Sequence, residues 1–138
     1  MQQDTQQKQQ ELQNKHLHGL KLEELVTELV NFYGWDILDA AMRFNCFHTK
    51  PSIDSSVKYL RKTDWAREKL ERFYLSRYKR MPKATEDEYD LPPRMRTFAN
   101  GILPREPMVL TIDSILLSQA KAASAHKERA SRERKQRR

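Results

Sequence analysis

A chain of 138 residues that is 38% hydrophobic, with a mean hydropathy of −0.90, supports one small core with solvated ends. Its three glycines argue against a turn-rich all-β fold and against a glycine loop for phosphates. A net charge of +7 and a pI of about 9.6 favour polyanionic partners, nucleic acid before acidic membrane or acidic protein.

Residues 1–17 are glutamine-rich with almost no apolar anchors, and they read as a disordered lead. The opening MQQDTQQKQQ lacks the apolar stretch of a signal peptide. Residues 18–21 open the folded part. In residues 22–33, Leu22, Leu25, Val26, Leu29, Val30, Phe32 and Tyr33 form one side of an amphipathic helix. Gly34 is placed to cap it. Residues 35–44 follow as a short, largely buried second helix, and residues 45–51 as a loop before Pro51. Ile53, Val57 and Leu60 mark the inner face of a third helix. Thr63 is placed to cap a fourth, with Asp64 in its first turn and Ala66, Leu70 and Phe73 as its apolar stripe. Met81 and Pro82 end that helix.

The expected fold is therefore all-α: a compact four-helix domain over residues 18–81, after the lead at 1–17. Residues 82–110 form a proline-containing linker or arm, and residues 111–138 a basic, alanine-rich helical tail capped by Thr111 or Asp113. The arm's apolar residues, among them Phe98, Ile102 and Val109, allow it either to dock on the domain or to stay loose. The most apolar late run, residues 108–117, is interrupted by Asp113 and is shorter than the roughly 20 residues of a membrane span. Cys46 is the single cysteine and has no disulfide partner within the chain, which suits a reducing compartment. A cytoplasmic protein, associated with the nucleoid if its partner is DNA, is expected.

Charge is unevenly distributed. Residues 18–57 carry a net of −3, residues 58–83 a net of +7, residues 84–120 a net of −3, and residues 121–138 a net of +6. At about 100° per residue, Lys58, Arg61 and Lys62 share an arc opposite the apolar face, and Arg67 follows the break between helices. Such a cluster suits a phosphate backbone, arginine through two-pronged contacts and lysine as a point charge. Ser55, Ser56 and Thr63 are candidate hydroxyl donors. Lys79 and Arg80 at the helix end, and Arg129, Arg132, Arg134 and Lys135 in the tail, complete the candidate nucleic-acid contacts. The bland alternative is an ordinary solvated helix surface and a solubilising tail.

Several short segments together carry a resemblance. They are His18-Gly19, Leu22-Glu23, Leu29-Val30, Tyr33-Gly34-Trp35, Cys46-Phe47, Pro51-Ser52, Ser56, Leu60-Arg61-Lys62-Thr63, Trp65-Ala66-Arg67 and Tyr74-Leu75. This pattern resembles the small bacterial family of four-helix double-stranded-DNA-binding proteins first described from a marine Vibrio. The resemblance covers about residues 17–79 and implies a four-helix fold with a DNA-binding role. Asp64 stands where some relatives are expected to carry proline, and either residue suits a first helical turn.

Trp35, Trp65, Phe32, Phe44, Phe47 and Phe73 fall on apolar faces and are expected in the core. Tyr59 and Tyr78 lie further outward, and Tyr59 beside the cationic arc is a candidate for stacking on a base. His16 with His18, and Cys46 with His48, lack the four-ligand spacing of a zinc site. No catalytic constellation, cofactor motif or small-molecule site is evident. The reading is non-catalytic binding of nucleic acid, foremost double-stranded DNA, led by phosphates and largely independent of sequence. The rivals are RNA or ribosome association, and a protein-interaction adaptor using the acidic face of the first helix or the apolar arm.

Overall fold

The computed structural model describes residues 15–99 and 101–136, with side chains as far as Arg134. Every regular element among them is helical. They are α1 (Leu22–Met42), α2 (Asn45–His48), α3 (Ile53–Lys62), α4 (Asp64–Phe73) and α5 (Ile112–Gln136). A π-helical turn, Tyr74–Tyr78, continues α4, and a 3₁₀ turn, Pro93–Met95, lies on the way to α5.

The first two expected helices form one element broken at its middle. Gly34 has φ 81° and ψ 165°, a conformation open to glycine and strained for any other residue. The break lets one stretch bury Leu25, Val26, Leu29 and Tyr33 and the next bury Leu38 and Met42. Arg43, at φ 58°, closes the helix with its N–H donating to Asp39 O at 2.7 Å. The segment expected as a loop after it contains the single turn α2, which carries Phe47 into the core. Four residues are too few to show a helical period in sequence.

Helices α3 and α4 follow the expected pattern. Val57 and Leu60 of α3 are buried, as are Ala66, Leu70 and Phe73 of α4. The Ser52 side chain caps α3 by accepting from Ser55 N–H at 3.1 Å. Thr63, expected to cap α4 with its hydroxyl, makes no side-chain cap bond and contributes only its carbonyl, which accepts from Arg67 N–H at 3.1 Å. Leu17, assigned by sequence to the lead, is 1% exposed and belongs to the core. Burying one leucine contributes about 2 kcal/mol, yet a lone leucine among polar residues shows no periodicity.

The arm docks. Residues 105–108 run beside the π turn: Arg105 N–H donates to Lys79 O at 3.0 Å and Met108 N–H to Arg77 O at 2.8 Å. Tyr33 Oη donates to Met108 O at 2.7 Å and lies 3.2 Å from Arg77 O. Burial pushes the Tyr33 phenol up to about 12, the Arg77 charge opposing it. Phe98 and Ile115 are buried, and Gln119 Nε2 donates to Ala40 O at 3.0 Å, fixing α5 against α1. From Ala120 to Arg134 every side chain is exposed except the half-buried Ala130. No described helix is long and apolar enough to cross a membrane. Residues 1–14 of the expected lead and the Lys135 side chain lie outside what is described.

One ion pair ties the arm to the helices. Glu71 of α4 is 2% exposed, and Arg94 of the 3₁₀ turn donates to it through Nε. Arg94 Nη1 also donates to Leu17 O at 2.9 Å and Leu20 O at 2.8 Å. Burial raises the Glu71 carboxyl above its ordinary value, while the Arg94 charge and hydrogen bond pull it back.

Candidate nucleic-acid interface

The site follows from the way α3 is buried. Val57 and Leu60 point inward, so Lys58, Arg61 and Lys62 emerge together on the solvent side, all three exposed. Among the described residues none of the three joins a salt bridge. They lie within about one turn of helix, close enough to face neighbouring phosphates of one strand. Ser55 is exposed on the same helix, and its Oγ donates to Ser52 O at 3.3 Å. Ser56 is fully buried with no partner for its Oγ, so it is no phosphate donor. Ser56 lies one turn before Leu60, on the same face, and so falls within α3's buried stripe.

The other expected contacts are placed differently. Arg67 is half-buried, with Nη2 3.0 Å from Asp64 Oδ1 and Nε 4.0 Å from Glu71 Oε1. Its charge is committed to two carboxylates, one of them three residues earlier in the sequence. The Lys79 ammonium sits 5.6 Å from the Tyr74 ring centre and 5.4 Å from that of Tyr78. Arg80 is half-buried at φ 54°, its Nε enclosed without a partner and its carbonyl accepting from Arg105. Lys79 and Arg80 thus form a packed corner that receives the arm. In α5, Arg129, Arg132 and Arg134 are exposed, and Arg129 Nε donates to Ala125 O at 3.4 Å.

Two of the six aromatic residues expected in the core are outside it. Phe32 is 47% exposed, packing edge-on against Tyr33 and Tyr78 with its far side in water. Trp65 is 61% exposed. One residue before Ala66, it stands about 100° from the inward stripe of α4 and clears the core. Its ring meets that of Phe44 edge to face, with centres 5.6 Å apart. Phe44 is itself buried and is the common support of this surface. Tyr59 packs on it at 5.8 Å and Phe47 at 5.5 Å, and the Lys69 ammonium lies 5.8 Å from its ring centre. Tyr59, singled out by sequence for stacking, is half-buried here.

The ends of the elements converge. Lys69 Nζ donates to Met42 O at 3.4 Å, at the C-terminal end of α1, and exposed Arg43 follows directly. Gln119, where α5 leaves the domain, is anchored two residues away at Ala40. The junction of α3 and α4 and the root of the basic helix therefore meet the same end of α1. Among the described residues, no three of His, Cys, Asp and Glu gather as a metal site.

These features define a class: a small all-α domain with one cationic surface built around a helix junction and a basic helix rooted beside it. Residues 13–75 match the family model of DNA-binding protein VF530. Over these residues the chain is similar to that family, the one whose residue pattern the sequence resembles. The match takes in α1 to α4 and the start of the π turn, and leaves the arm and α5 outside it. No curated protein matches the chain.

Proposed function

We propose that the chain binds double-stranded DNA without catalysis, chiefly through phosphates and largely independently of base sequence. The observation that carries this reading is the trio Lys58, Arg61 and Lys62, exposed and, among the described residues, outside any salt bridge, on a segment that matches a family model named for DNA binding. Arg129, Arg132, Arg134 and Lys135 of the tail add positive charge to the same role. Arg43 and Lys69 extend the trio toward the root of α5, whereas Arg67 serves to hold Asp64. A cytoplasmic, nucleoid-associated protein fits this role.

The test is a binding titration of the full chain against duplex DNA, single strands and RNA across a salt series. If about six phosphates are neutralised, affinity for duplex falls about 10³-fold between about 50 and 200 mM salt. The triple change Lys58→Glu, Arg61→Glu and Lys62→Glu removes most of that affinity and flattens the salt slope. A salt-insensitive affinity, or duplex binding that survives the triple reversal, overturns the assignment. A preference for RNA at equal salt replaces the DNA reading with one of A-form or looped substrates.

A further inference from the structure

We propose that Trp65 is a base-stacking residue, directing the cationic surface to DNA whose bases are unpaired or unstacked, such as a bubble or gap within a duplex. This rests on the DNA-binding reading and adds a substrate preference to it. A tryptophan 61% exposed leaves a large apolar ring in water, on a domain that buries most of its other aromatics. The ring is positioned nonetheless, since its edge-to-face contact with buried Phe44 gives it a rigid seat.

Its surroundings select the occupant. Arg61 and Lys62 precede it across the helix break, and Lys69 follows one turn later on the same Phe44 support. The neighbouring acid, Asp64, is held by Arg67 at 3.0 Å. An aromatic plane with Arg61, Lys62 and Lys69 at neighbouring positions, against Glu68 as the one adjacent carboxylate outside a salt bridge among the described residues, fits a flat ring on an anionic backbone. It fits an apolar protein surface poorly, because docking there would strip water from at least three charges without compensation. Stacking needs an exposed base face, which a continuous B-form duplex does not offer, whereas an unpaired base does.

Full-length wild type, Trp65→Ala and Trp65→Leu are titrated with a duplex and with the same duplex containing a short bubble, thermal melts confirming the fold of each variant. Wild type binds the bubble more tightly, and both variants lose about tenfold on it while changing about twofold or less on the duplex. Equal losses on both substrates, or none on the bubble, overturn the proposal. An absence of binding to either DNA by wild type overturns the DNA reading itself. The chain has two tryptophans, so Trp35→Phe leaves Trp65 as the sole indole reporter. Its emission is quenched on saturation with the bubble and little changed by duplex, and identical emission with both counts against stacking whatever the affinities.

Discussion

Changing Arg94 to alanine tests whether the arm is part of the folded domain. The substitution removes the donor to the Glu71 carboxylate and the two bonds to Leu17 O and Leu20 O. Glu71, 2% exposed with Arg94 in place, is left with Arg67 at 4.0 Å as its remaining cation, and that one is shared with Asp64. Removing one member of a buried pair costs about 3–5 kcal/mol. Because the Arg94 side chain is 34% exposed, water can enter its place, and the lower end, about 3 kcal/mol, is expected. For a domain of this size that lowers the melting temperature by roughly 12 °C or more. The loss also depends on pH. Burial already raises the Glu71 carboxyl, and without Arg94 nothing comparable opposes it. A carboxyl whose folded value lies above its unfolded one binds its proton more tightly in the native state. Its stabilising contribution is complete below the unfolded value and is lost as pH rises through the folded value. The variant should therefore come closest to wild type at acid pH, below the ordinary carboxylate range, and fall progressively further short as pH rises above it. Circular-dichroism melts of both proteins across that range measure the difference. A deficit under about 1 kcal/mol at neutral pH, or one that does not change with pH, refutes the reasoning.

Tyr33→Phe removes the hydroxyl bond to Met108 O and should cost about 1 kcal/mol, with faster hydrogen exchange at the Met108 and Arg105 amides; unchanged exchange there would show that this bond does not hold the arm. In wild type the Tyr33 phenol, raised to about 12 against an unfolded value of about 10, stabilises the docked arm fully below about pH 10 and loses that effect as pH climbs through 12, visible in the same amides. Gly34→Ala meets no atom within 4 Å yet forces a side chain into φ 81°, so a loss of roughly 1–3 kcal/mol in denaturant titration should come from backbone strain alone. A neutral Gly34→Ala would mean that the two halves of α1 can straighten without cost.

What the sequence discloses depends on whether the signal is local. The inner faces of α3 and α4 and the break at Gly34 are legible because each shows within about two turns of chain. The outward trio Lys58, Arg61 and Lys62 is legible for the same reason, being the complement of Val57 and Leu60. The pairing of Arg67 with Asp64 is legible from sequence, since Asp64 stands three positions before it. The Glu71–Arg94 pair is not, because its members are separated by 23 positions and only the docked arm brings them together. Nor is the exposure of Trp65: a large aromatic at the edge of an apolar stripe is read inward by composition and outward by a modest rotation of the helix. Lys79 and Arg80 look like the frayed end of a basic helix, but the π turn folds them under the arm.

The arrangement at the end of α1 bears on how the two cationic blocks act together. Gln119 holds the root of α5 at Ala40, and the Lys69 and Trp65 surface is seated on Met42 and Phe44. Beyond that root, α5 extends through Gln136 as helix for about 25 Å. A basic helix tethered beside a basic surface engages the same polyanion at a high effective concentration, because the second contact requires no new encounter. Loss of the trio and loss of the tail charges should then be less than additive in a thermodynamic cycle, because either loss alone already forfeits the joint engagement. Binding free energies for Lys58→Glu/Arg61→Glu/Lys62→Glu, for Arg129→Gln/Arg132→Gln/Arg134→Gln, and for their combination decide it. Strict additivity within about 0.5 kcal/mol would mean that the helix and the junction meet DNA independently, and that their shared root at α1 is only a feature of packing.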